Sequence, residues 1–144
     1  MIIVSHRGNL YGPDHSVENT PDQIELVISK GIDVEIEVRL VDGVWFLGHD
    51  FPQYKIEESF LKQNESHLWC HAKNIEALEK LRDIGMHCFW HDQDKYTLTS
   101  KGIIWAYPNY YTSSGILVLP DKTFMRTYRY THKIHGVCVD DINI

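Results

Sequence analysis

Cysteine is scarce in this sequence, with three among 144 residues: Cys70, Cys88 and Cys138. The set is odd and widely spaced, and each member lies in an apolar run. That excludes a disulfide framework and predicts buried, reduced thiols in a reducing compartment. Basic charge is short as well. Lys and Arg number 14 against 20 Asp and Glu, a net charge of −6, which excludes a general nucleic-acid surface, since such a surface displaces counterions with a basic face. The local exception runs from Arg126 to Lys133, where Arg126, Arg129 and Lys133 interleave with Tyr128 and Tyr130; it reads as a solvated loop. No apolar run approaches the ~20 residues that cross a bilayer. A strand pattern starting at residue 2 leaves no room for a cleaved leader, so a cytoplasmic protein without a membrane span is expected. Linkers, fixed-period repeats and low-complexity tracts are also missing, and a chain of this length buries one core but not two. One domain over residues 1–144 follows.

What is present is a series of short apolar runs with strand character: Ile2 to Ser5, Val34 to Val38, Val44 to Leu47, His67 to Ala72, His87 to Trp90, Ile103 to Tyr107, Ile116 to Leu119 and Gly136 to Val139. A helix between the first two has sharp boundaries, with Thr20 as N-cap, Pro21 at the first helical position, Gln23 completing a capping box and Gly31 at the stop. A second helix runs from Asn74 through Ile75, Leu78, Leu81 and Ile84 to Gly85, and Glu57 to Gln63 reads as a short third. After Gly85 no helical period of ten residues appears. Eight strands alternating with helices predict a closed α/β barrel of the (β/α)8 TIM type with its site at the C-terminal face. Such barrels take ~250 residues, so this one is expected to be reduced, with several crossover helices of the second half shortened or missing. An open α/β sheet is the alternative architecture. Strands left uncovered by short crossovers favour a homodimer.

The ionisable groups gather where the apolar runs stop. Alternation along a strand puts Glu35 and Glu37 on one face and Val34, Ile36 and Val38 on the other. Two neighbouring carboxylates on a half-buried strand repel and are costly to desolvate unless a cation or a cluster of donors neutralises them. A divalent metal is the simplest such partner; an edge strand with its glutamates in water is the plain alternative. His6 and His49 also close apolar segments.

The pieces His6-Arg7-Gly8, Glu18-Asn19-Thr20-Pro21, Gly31-Ile32-Asp33 leading into Glu35-Ile36-Glu37-Val38, Asp42-Gly43 and His49-Asp50 follow one another across the first 50 residues. In order and spacing they resemble the glycerophosphodiester phosphodiesterase family, a TIM-barrel group related in fold to phosphatidylinositol-specific phospholipases C. Lys73, Trp105 and the run Gly136 to Asp141 resemble its later strands more weakly. The resemblance implies cleavage of a small-molecule phosphodiester between glycerol and an alcohol. It implies His6 and His49 as catalytic acid and base, Arg7 and Lys73 as phosphate ligands, and Glu35 and Glu37 as ligands of a divalent metal ion, Mg, Ca or Mn. Glu37 stands where an aspartate is commoner, and His71 replaces the usual glutamate two residues before Lys73.

Three kinds of alternative stay open in the sequence. His71 either replaces the missing carboxylate as a third metal ligand, which would suit Mn, Co or Zn, or marks a weakened metal site. Glu18 and Asn19 either cap the first helix or reach the site, Glu18 orienting a histidine or Arg7 and Asn19 contacting metal or phosphate. Trp105 and Tyr107 either form an aromatic wall over the glycerol or head group or fill the core. His87 and His91 read as structural, and His15, His67, His132 and His135 as surface residues. At the level of function, the alternatives to hydrolysis are a barrel that binds a phosphorylated metabolite without turnover and a lyase that forms a cyclic phosphate.

Overall fold

The computed structural model describes residues 1–128 and 132–144, so Arg129 and Tyr130 of the basic stretch lie outside the described residues. The chain runs β1 (Ile2–His6), α1 (Pro21–Ser29), β2 (Asp33–Val41), β3 (Val44–Leu47), β4 (Tyr54–Ile56), α2 (Glu58–Gln63), β5 (Leu68–Ala72), α3 (Ile75–Asp83), β6 (Cys88–Phe89), β7 (Tyr96–Leu98), β8 (Ile104–Ala106), β9 (Ile116–Val118), α4 (Lys122–Thr127) and β10 (Gly136–Val139). Local chemistry sets the helix ends. Thr20 accepts from the Gln23 backbone at the start of α1, Asn74 from Ala77 at the start of α3 and Asp121 from Phe124 at the start of α4. The Gln23 side chain does not return to close a capping box; it donates to the Gly8 carbonyl at 2.8 Å and ties α1 to the turn after β1.

The closed (β/α)8 TIM barrel expected from the sequence is overturned. Among the described residues the sheet is mixed and ten-stranded. Strands β6, β5, β2, β1, β10, β9 and β8 pair in that order and all run parallel. Strands β3, β4 and β7 are antiparallel additions. Among the described residues only α1, α2, α3 and α4 accompany the ten strands, and no ladder joins β6 to β8. The sheet curls without closing. Val44 to Leu47 forms a strand as expected but is no barrel stave. Asp42 and Gly43 take positive φ, 50° and 76°, and a two-residue turn of that hand returns β3 antiparallel along β2.

Alternation divides the core. On the convex face Val34, Ile36 and Val38 of β2 join Ile24 and Val27 of α1 and Ala77 and Leu81 of α3 in one apolar cluster. On the concave face Val4, Trp69, Phe89, Trp105, Ile116, Val118 and Cys138 form a second. Phe124 and Met125 of α4 cover a third over Leu117, Val137 and Val139. Because the seven strands share a direction, their C-terminal ends gather at one rim, the place where parallel sheets present ligand sites. No helix among the described residues is long and apolar enough to cross a membrane.

Candidate active site

His6 ends β1, and the chain turns sharply after it. Arg7 takes φ 56° and Asn19 φ 60°, left-handed backbone that is costly for arginine and that clusters at functional sites. The turn is pinned on both sides, with the Arg7 backbone donating to Glu35 O at 3.0 Å and the Asn19 backbone to Arg7 O at 2.9 Å. Glu35 pairs with His6 across β1 and β2, and Glu37 pairs with His71 across β2 and β5. The reading of the two glutamates as solvent-facing therefore fails, since they are only 2% and 1% exposed.

A cavity of about 390 Å³ opens at this rim, and His6, Arg7, Glu35, Glu37, His49, His71, Lys73 and Trp105 all line it. Arg7 Nη2 lies 3.2 Å from Glu37 Oε1, and His49 Nε2 lies 3.7 Å from the same oxygen. Lys73, half-buried, borders the cavity from the end of β5. Trp105 is both wall and core, packed against Phe89 with the rings tilted by 34° and their centroids 4.6 Å apart. Glu18 and Asn19 stand behind the wall. Glu18 Oε2 meets Arg7 Nη1 at 3.5 Å. Asn19 grips Glu37 twice, donating to Oε2 at 2.7 Å and accepting from its backbone at 3.0 Å.

Each of the two histidines has a carboxylate at its back. His6 Nδ1 lies 2.8 Å from Asp140 Oδ1, and His49 Nδ1 lies 2.7 Å from Asp50 Oδ1. Since the carboxylates accept, each Nδ1 carries the proton and each Nε2 is left for other partners. Burial pulls the His6 pKa down, but the hydrogen bond to Asp140 and the charge of Glu35 outweigh it, leaving the ring above its ordinary 6.5. Asp140 is reached through strand order. β10 lies parallel beside β1 with Ser5 opposite Val139, so the next residue of each strand meets the other. Asn9, 1% exposed, joins this pair to the arginine by donating to Asp140 Oδ1 at 2.8 Å and Glu18 Oε1 at 2.9 Å. Sequence reading missed Asn9 and the roles of Asp50 and Asp140. The available signal was that the first and last strands must be neighbours.

The donors for a cation can be tested on this geometry. Ligand atoms of Glu35, Glu37 and His71 lie within 4.8 Å of one another, and Glu35 Oε2 is buried without a hydrogen-bond partner. His71 Nε2 lies 2.8 Å from the His91 carbonyl, which only accepts, so that nitrogen bears a proton. Its other nitrogen, Nδ1, faces Glu35 Oε1 at 3.2 Å. Either Nδ1 is also protonated or its lone pair and the carboxylate share a cation. Burial pushes Glu35 up, but hydrogen bonding to His71 and the positive charges of His6, His71 and Arg7 bring it below the usual carboxylate range. Glu37 goes the other way, raised by burial and then by Glu35. A buried carboxylate oxygen without a partner, beside a second buried carboxylate and an imidazole, fits a divalent ion. No family model matches the chain, and neither does a curated protein or a solved structure.

Proposed function

We propose that this protein is a phosphoric diester hydrolase that cleaves a glycerol-type phosphodiester to glycerol phosphate and an alcohol with the help of a divalent metal ion. The observation that carries the reading is that two carboxylate-backed imidazoles border one cavity with a Glu35/Glu37/His71 donor set and two cations, Arg7 and Lys73. Phosphoryl transfer from a diester needs a nucleophile deprotonated, an alkoxide protonated and negative charge on the phosphoryl oxygens balanced. His6, buried and oriented by Asp140, takes the proton of the attacking water at Nε2 as the new P–O bond forms and the bond to the alcohol breaks, and Asp140 stabilises the imidazolium formed. His49, with 43% of its side chain exposed at the rim, protonates the alcohol that departs toward solvent. Arg7 and Lys73 hold the phosphate oxygens. A bound divalent ion, held by Glu35, Glu37 and His71, supplies further charge neutralisation, and the imidazole ligand favours Mn, Co or Zn over Mg or Ca.

The test is release of glycerol 3-phosphate from glycerophosphodiesters in the presence of Mn²⁺. His6→Ala and His49→Ala are each expected to lower turnover by roughly 10²- to 10⁴-fold with unchanged circular dichroism. Undiminished turnover in either variant would exclude the acid/base assignment. Phosphorus NMR of the product separates hydrolysis from a lyase, which would stop at a cyclic phosphate.

A further inference from the structure

The helical layer over the convex face of the sheet has a gap. α1 and α3 cover β2, and α4 covers β9 and β10, but among the described residues no helix lies between β6 and β9. Alternation decides what is left bare. Trp105 belongs to the concave cluster, so Ile104 points to the convex side, and the pairing of Leu98 with Ile104 and of Tyr96 with Ala106 puts both β7 side chains there with it. Tyr96 is 46% exposed and Leu98 62%. With Ile104, Tyr111 and Thr112 they line a hollow of about 510 Å³. The Tyr96 hydroxyl donates to the Tyr111 carbonyl at 2.9 Å, and the exposed Tyr110 ring extends the patch, its centroid 6.0 Å from that of Tyr96. Clustered apolar exposure of this kind marks a surface that binds something.

Charge is ordered along the same strand. Asp92 and Asp94 precede β7 and Lys101 follows it, all three exposed. Lys95, at the acidic end, is occupied with the Tyr110 ring, its Nζ 5.5 Å from the centroid. Two copies that meet face to face about a twofold axis set their β7 strands either parallel or antiparallel. The parallel arrangement stacks acid on acid, whereas the antiparallel one brings the acidic end of each strand against Lys101 of the other. The patch is thus complementary to itself. We infer that it is the interface of a homodimer in which the convex faces of β7 and β8 pack on those of a second copy, with the two β7 strands antiparallel. The second copy completes the cover that helices give the sheet elsewhere, and it stands behind the wall that Trp105 gives the cavity. The interface does not depend on the reaction catalysed.

The experiment is sedimentation velocity on the full chain up to ~100 µM, where a monomer–dimer equilibrium without larger species is expected. Leu98→Glu should raise the dissociation constant at least about tenfold while circular dichroism stays unchanged. Exchange of charge tests the orientation. Asp94→Lys and Lys101→Glu should each weaken the dimer at least about threefold, and the two together should restore it to within about twofold of the parent, since an antiparallel pair again opposes unlike charges. A chain that stays monomeric at ~100 µM overturns the interface. A dimer that Leu98→Glu leaves intact, or a double exchange that restores nothing, overturns it as well. Flotation with phosphatidylcholine vesicles is run alongside: a monomer that binds them, and ceases to in Leu98→Glu, would give the patch to a lipid surface and likewise reject the dimer.

Discussion

At the scale of single residues, the site is organised by its second partners. Asp140 contributes both orientation and charge to His6, and the consequence is legible in a pH profile. A ring raised above 6.5 is protonated below that value and cannot act as a base, so kcat/KM is expected to rise with pH along a limb lying above 6.5. Asp140→Asn removes the hydrogen-bonded charge that raises the ring. The limb should move to lower pH while the plateau falls, because the imidazole is no longer held. An unmoved limb would show that Asp140 does not act on the base. Asn9→Ala has the opposite sign. It strips a donor from Asp140, strengthening that carboxylate as an acceptor for His6 and moving the limb to higher pH. It also releases Glu18 from Asn9, so KM rises as Arg7 loosens. Both readouts come from one set of pH-dependent steady-state measurements.

At the scale of elements, His49 depends on a loop that tolerates little change. A Cβ on Gly48 would lie 2.1 Å from the Phe51 carbonyl oxygen, and φ there is +153°. Arg39, on β2, donates to the carbonyls of Gly48 at 3.2 Å and His49 at 2.5 Å. Gly48→Ala must shift this loop, and Arg39→Met leaves it untethered. Each is expected to reduce kcat at least about tenfold, with a stability loss of roughly 1–3 kcal/mol that denaturant titration would measure. Full activity in both variants would remove His49 from the mechanism. The same region shows what the sequence could and could not disclose. Alternation told where strands lie and which face Glu35 and Glu37 share, and the capping residues located α1 and α3. Pairing direction is not carried by alternation, so β3 counted as a barrel stave although Asp42-Gly43 turns it back along β2. β4 and β7 bury one residue and none, so neither leaves an apolar run to be seen, whereas the equally short β8 and β9 are apolar and were legible. The six-residue α4 completes fewer than two turns, too short for an apolar stripe to repeat. Asp140 reaches His6 only through the pairing of the first strand with the last, and no local pattern encodes that contact.

At the scale of the whole molecule, the curl of an unclosed sheet is held by side chains where a ladder is missing. Phe89 on Trp105 spans the seam, and the Ser100 backbone donates to Cys88 O at 2.8 Å. Trp105→Ala is expected to cost roughly 3–5 kcal/mol, a large share of the ~5–15 kcal/mol that domains possess, and Trp105→Phe should recover most of it. Deeper in the same aromatic stack the histidine expected to be structural gives the fold an acid limit. His87 is 4% exposed, its ring centroid is 4.2 Å from that of Trp69, and its Nε2 lies 2.8 Å from Thr99 Oγ1. Burial, and then the charge of Lys101, lower its pKa to about 4 against 6.5 for an ordinary imidazole. Between those values the unfolded chain binds a proton that the native ring refuses. Stability present above pH 6.5 is therefore lost as pH falls toward 4, by up to roughly 3 kcal/mol from this group. The other titrating groups act in any variant as well, so the difference between variants isolates His87. His87→Gln, which can still reach Thr99, should be less stable than the parent at pH 7.5 yet lose less between pH 7.5 and 4.5 in urea titrations. Equal losses over that interval would mean that acid enters the fold elsewhere.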